Sequence, residues 1–373
     1  MALYEKLLLS AGGGIVSGKQ QAEQVKNTAT VIIGLGGMGI DCLRTIKTQV
    51  YSRLKLDDPE AAAPQYQHIR FLGVDASEYS RPNSGYSLPK LNDTEFFSIR
   101  NVSANAVGES PTVLAELRSI SWLNWEKIHM PDLSWNGTGG IRQVGRFLMM
   151  NQSSAFMNRL ESEIQSAKQD LYSPDVNIHI ISGLSGGTGS GIFLDVCYMV
   201  QSVIQRVGGD AAILGYFFLP DVNLSRIPVD APHVREYLSR NGYAAMQELD
   251  YCMQIEENRG QFEQEYGDGR IIKWNRAPVD LCHLIGATDA DAAEIPDAYN
   301  YAMNVTTEYI MDFLTDSFSE NLTGFKALVA VANTRKIRGM NLNYCTVGAS
   351  CASLPLREIN TYLASELFDK FSS

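Results

Sequence analysis

Five short runs along the chain are apolar at nearly every position. They are "TATVIIGLGG" at 28–37, "HIRFLGVDAS" at 68–77, "DVNIHIISGLSGG" at 175–187, "AAILGYFFLP" at 211–220 and "VDLCHLIGATDA" at 279–290. Short, continuous and rich in Val and Ile, they predict strands buried on both faces. Between them run segments with the helical period. These are "MGIDCLRTIKTQVYSRL" at 38–54, "NGTGGIRQVGRFLMMNQSSAFMNRLESEI" at 136–164, "GIFLDVCYMVQSVIQRV" at 191–207, "PHVREYLSRNGYAAMQELDYCMQI" at 232–255 and "DAYNYAMNVTTEYIMDFLTDSF" at 297–318. Alternating strands and helices predict an α/β fold, a parallel sheet flanked by helices. Ligands of such sheets lie at the carboxyl ends of the strands. Residues 77–135 break the alternation with Pro, Ser and Asn clusters, and read as an insertion with one or two helices. Residues 1–28 read as an N-terminal helix and linker.

Composition adds exclusions. The chain has 373 residues and a formal net charge of −11, which argues against a nucleic-acid partner. No apolar run reaches the roughly 20 residues that cross a bilayer, so a cytoplasmic protein is expected, with no membrane contact. The six cysteines include no C-x-x-C pair and read as buried reduced thiols. No two histidines stand at helical ligand spacing, and none of the five is read as a direct metal ligand.

Three glycine-rich stretches compete as candidate sites. "GGGIVSGKQ" fits G-x-x-x-x-G-K from Gly13 to Lys19, but Gln20 stands where a P-loop needs Ser or Thr for Mg²⁺, and no clean strand precedes it. "GLGGMG" follows a strand and opens a helix, with Gly34, Gly36 and Gly39 in G-x-G-x-x-G register and Gly37 and Met38 between them. Alone it is a weak phosphate signal, and it leaves a dinucleotide-dependent oxidoreductase open as a rival reading. "SGGTGSG", Ser185, Gly186, Gly187, Thr188, Gly189, Ser190 and Gly191, is more specific. Set between a strand and a helix, its amides form an anion nest, and Thr188 and Ser190 add hydroxyls.

"SGGTGSG" resembles the signature of the tubulin and FtsZ superfamily, and further stretches follow in the family's order. "VIIGLGGMGIDCLRTI" is similar to its first strand, turn and helix. "FLGVDAS" places Asp75 at its acidic loop. "GTGGIRQVGR" resembles its third loop, with Gly137, Thr138, Gly139 and Gly140. "VREYLSRNGYAAMQEL" places Arg235 at the arginine that reaches the nucleotide. "DAYNYAMN" resembles the start of its central helix, with Tyr299 for stacking on the base, Asn304 for the base edge and Asn300 as an alternative. The resemblance spans about residues 29–320 and lies nearer the divergent bacterial tubulin-like proteins than FtsZ or tubulin. It implies a Rossmann-like nucleotide domain over 29–296, a central helix over 297–318, and the start of a second, reduced α+β domain over 319–373. It also implies GTP or GDP as ligand, Mg²⁺ held through phosphate and water near Asp75, and self-association head to tail into filaments.

Plainer roles stand beside these. Asp75 could end a strand, Arg235 could be solvated, Tyr299 could be core, and Asn304 could be exposed. The acids that complete hydrolysis in the family are not evident. "SENLTGF" at 319–325 offers Glu320 beside Asn321, with Gly324 in the second acid's place, and "NLNYCTV" offers Asn343. GTPase activity is therefore an open expectation with Glu320 and Asn321 as its candidates. A non-hydrolysing protein that binds a partner through 77–135 is the other rival. Guanine and adenine are not distinguished by the sequence.

Overall fold

A computed structural model describes residues 28–53, 68–77, 91–100, 120–124, 137–169, 171, 175–266, 269–289, 293, 295–314, 336–337, 340–341 and 344–347. The Gly13–Lys19 stretch, Glu320, Asn321, Gly324 and Asn343 lie outside them.

The five expected strands are present. β1 (Ala29–Leu35), β2 (Ile69–Asp75), β4 (Val176–Gly183), β5 (Ala211–Phe218) and β8 (Leu281–Ile285) lie in one sheet with β3 (Phe96–Ser98) and β11 (Tyr344–Thr346). The order is β11-β8-β5-β4-β1-β2-β3, and every pairing is parallel. β1 is buried at every residue, as the unbroken apolar run requires. The chain winds outward one way from β1 to β3 and the other way from β4 to β11. The switch point falls between β1 and β4, where crevices form in sheets of this kind.

Two further strands join this sheet: β3 was not expected, and β11 falls on "LNYCTVGASCASLP", a run that reads as a strand. β3 lies within the 77–135 stretch and extends the sheet edge, Asp75 pairing with Ser98. β11 pairs with β8, Tyr344 opposite Cys282, so this part of the C-terminal segment continues the main sheet. A hairpin of β6 (Phe262–Glu265) and β7 (Ile271–Trp274) was also not expected. A short antiparallel pair, β9 (Lys336–Ile337) with β10 (Met340–Asn341), completes the strands described.

Helices cover both faces. On one face α1 (Gly36–Arg53) and α6 (Ala298–Leu314) bury Leu43, Ile46, Met303 and Ile310 against Ile32 and Tyr216. On the other, α2 (Arg142–Lys168) and α3 (Thr188–Val207) bury Phe156, Leu160, Val196 and Val200 against Val31, Ile33 and Ile180. A short α4 (Pro220–Leu224) leads into α5 (Pro232–Met253), whose Ala245 and Leu249 join the second core.

Candidate functional site

Each glycine loop follows from its place in this winding. β1 and β4 end side by side, so Gly36 and the Ser185–Thr188 turn meet above the switch point. Gly36 has φ +66°, and a Cβ there would stand 2.6 Å from the backbone nitrogen of Gly189. A Cβ on Gly189 would reach the carbonyl oxygen of Leu35 at 2.6 Å. One on Gly187 would strike Thr138 Oγ1 and come within 2.6 Å of the Gly140 carbonyl carbon. The three loops thus touch backbone to backbone, which only glycine permits.

Other expected site residues serve this packing. Gly34 stands 2.5 Å from Gly39 O, measured from its missing Cβ, and Gly39 lies against Ile181 O. Met38 fills the space beside Gly183. Ser190 is fully buried, donates to Leu184 O at 2.6 Å and accepts from Arg142 Nε at 2.8 Å. Ser185 is buried and accepts from Asn223 Nδ2 at 3.0 Å. These two hydroxyls are committed to the fold. Thr138 and Thr188 face one another, their hydroxyls 3.5 Å apart.

Four glycines behave differently. A Cβ on Gly37, Gly137, Gly139 or Gly186 would meet nothing within 4 Å. Gly137 and Gly139 have φ of +110° and +60°, so their backbone conformation favours glycine. Gly37 and Gly186 have neither a positive φ nor a neighbour. Beside them, α3 starts at Thr188 with no side chain capping its first turn. Its free N–H groups suit an anion. Asp75 ends β2, 9% exposed, and accepts the N–H of Ala76 at 2.7 Å. Among the described residues no group of three or more His, Cys, Asp or Glu could hold a metal ion.

Asn241, which the sequence did not single out, ties two loops together. Its Nδ2 donates to Gly140 O at 2.8 Å and to Ser185 O at 3.0 Å. An "NG" pair inside a helix was the available signal, since both residues are poor helix formers. Arg142, in the third loop's helix, bridges Ser190 to Glu248. Arg146 pairs with the buried Asp195 at 2.9 Å.

Arg235 is engaged by main-chain carbonyls of the turn after α4. Its Nη1 donates to Leu224 O and Ile227 O, both at 2.8 Å, and closes the turn between α4 and α5. Tyr299 is 6% exposed and donates its hydroxyl to Asp41 Oδ2 at 2.7 Å. Asp41 lies on α1, four residues beyond Gly37, so Tyr299 sits one turn from the first glycine loop. Burial first, and the Asp41 carboxylate next, push the Tyr299 phenol well above its ordinary pKa, so it remains a donor. Asn300 donates to Asp297 at 2.8 Å, and Asn304 is exposed on α6.

The family model described as "Tubulin like" matches residues 31–372, nearly the whole chain. The chain belongs to the tubulin-like family. Similar solved structures are low in identity and broad in coverage. CetZ from Methanosaeta thermophila strain DSM 6194 is 13% identical, over 82% of this tubulin-like chain and 60% of that one, with a TM-score of 0.46. A point mutant of FtsZ from M. jannaschii is 14% identical over 88% and 67%, with a TM-score of 0.41. TubZ of Bacillus thuringiensis serovar israelensis, in a GTPγS-form protofilament, is 10% identical over 83% and 64%, with a TM-score of 0.42. The chain spans about three-fifths of the length of the CetZ structures it matches. The comparison with curated proteins returned no match.

Proposed function

We propose that this tubulin-like chain binds a guanine nucleotide, GTP or GDP with Mg²⁺, along the glycine edge of its sheet and stacks head to tail with further copies. One observation carries the nucleotide reading. Gly37 and Gly186 are glycines that the fold does not require, at the two loops flanking the switch point. Glycine in place of alanine costs roughly 0.5–1 kcal/mol of chain entropy without such a requirement. Close approach of a ligand to the backbone explains both. The uncapped start of α3 explains why that ligand is an anion. Phosphates would rest on the amides of 36–39, 137–140 and 186–190, and the base would lie toward Tyr299. Mg²⁺ would neutralise phosphate charge beside Asp75, held through phosphate and water. A dinucleotide reading would need only Gly34–Gly39, and it leaves the contacts with the other two loops without a purpose.

Family membership supports the assembly reading, and a heterologous contact that does not close would give a filament. "SENLTGF" carries one carboxylate, Glu320, beside Asn321 and Gly324, so it supplies fewer acids than hydrolysis by such a loop requires. The deciding experiment denatures the purified protein and identifies the released nucleotide by chromatography. It then titrates the emptied protein with GTP, ATP and NAD, with and without Mg²⁺. GDP or GTP in the supernatant, and micromolar GTP binding that Mg²⁺ strengthens, are expected. Release of NAD, or no GTP binding at micromolar concentration, would sink the reading.

A further inference from the structure

The aromatic face proposed for the base is already covered. The Arg226 guanidinium carbon lies 4.1 Å from the centroid of the Tyr299 ring. Its Nη1 is 4.0 Å from Asp41 Oδ2, the same oxygen that accepts the Tyr299 hydroxyl. A base slotted between the two planes would need about 3.5 Å of separation on each side, roughly 7 Å in all. The gap is far smaller, so Arg226 and a stacked base cannot share this face. The arginine can leave it. Its side chain is 39% exposed and it stands in the turn after α4, at the end of a long flexible stem. The turn itself is fixed, because Arg235 holds the carbonyls of Leu224 and Ile227 on either side of Arg226.

We infer that Arg226 is a displaceable cap on the base subsite, set in place by Arg235, and that a nucleotide reaches Tyr299 only by pushing the guanidinium aside. This rests on the nucleotide reading above. The cap weakens and slows the binding of any nucleotide whose base stacks there. It leaves the phosphate contacts untouched.

The sign of the effect is diagnostic. Removing a positive charge from a chain of net charge −11 should weaken an anionic ligand by ordinary electrostatics. Removing a competing cap should tighten it. The test compares wild type with Arg226→Ala for GTP, whose base needs the subsite, and for inorganic tripolyphosphate, which does not. GTP affinity relative to tripolyphosphate should rise about two- to five-fold in the variant, the range of a partly exposed cation–π contact. The association rate of a fluorescent GTP analogue should rise with it. Arg226→Lys, which loses the flat stack and keeps the charge, should show part of the same gain. An unchanged or lower ratio overturns the cap and makes Arg226 idle or a base contact. Binding of tripolyphosphate without GTP overturns the base subsite. If neither binds, the nucleotide reading fails and the cap fails with it.

Discussion

The glycines of these loops stand in two physical settings, packed and open. Gly187 is packed against Thr138 Oγ1 and the Gly140 carbonyl carbon, whereas Gly186 beside it faces open space. Sequence could not tell them apart, because the second loop is 46 or more residues away along the chain. The two alanine variants should therefore part company. Gly187→Ala should lower stability by about 1–3 kcal/mol, as overpacking does, and show it in chemical denaturation. Gly186→Ala should leave stability within about 1 kcal/mol of wild type and weaken GTP in calorimetric titration. A Gly186→Ala protein that binds GTP normally would remove the main support for phosphate at this loop. Asn241, Asp41 and Arg226 escaped the sequence reading for a similar reason. Asn241 meets Gly140 across 101 residues, and Tyr299 meets Asp41 across 258. Their roles are set by which strands lie side by side, and single positions do not carry that.

Strands and helices were legible to the degree that burial imposed a pattern. β1, β2, β4, β5 and β8 are covered on both faces, so each announces itself as an apolar run. β3 is three residues long, and β6 and β7 are four residues each with alternate positions exposed, so no long apolar run marks them. The polar residues inside the apolar runs have consequences of their own. His179 of β4, Tyr216 of β5 and His283 of β8 lie side by side in the buried sheet, Tyr216 stacking on both rings and on His283 at 4.5 Å. His179 Nδ1 meets Tyr216 OH, and His283 meets Gly215 O and Tyr309 OH. Burial, with His283 nearby, pushes His179 from 6.5 down to about 3. Burial pushes His283 down to about 4, against the pull of its bond to Gly215. Both folded values lie below the unfolded one, so the unfolded chain takes up more protons as pH falls. The stability these two groups confer is complete above pH 6.5 and is lost as pH drops toward 4. The slope is about 1.4 kcal/mol per pH unit for each histidine. Denaturant titrations between pH 6.5 and 5 should show that steep decline, and His179→Phe should roughly halve it. A wild-type curve flat over this interval would contradict the buried neutral pair.

Taken as one body, the chain must reconcile assembly with charge. Copies that each carry a formal −11 repel at the distance of a stacking contact. If the proposed head-to-tail contact forms, raising salt from low levels to about 0.15 M shortens the Debye length to about 8 Å and should lower the concentration at which assembly begins. Light scattering or pelleting with GTP and Mg²⁺ across that salt range checks it, and an onset that rises with salt would show that attraction between unlike patches dominates instead. A parallel sheet flanked by helices was foreseeable from alternation alone, whereas alternation does not fix the strand order or the switch point. The cap over Tyr299 was not, since it depends on a turn that Arg235 ties by two bonds from the next helix. Gly36 meets Gly189, Gly189 meets Leu35 and Gly187 meets Gly140, main chain against main chain. Such contacts hold no rotamers to freeze, so if phosphate lies there as proposed, that end of the site would give up almost no side-chain entropy on filling. Whatever ordering such a ligand imposed would then be concentrated at the other end, in the long side chain of Arg226.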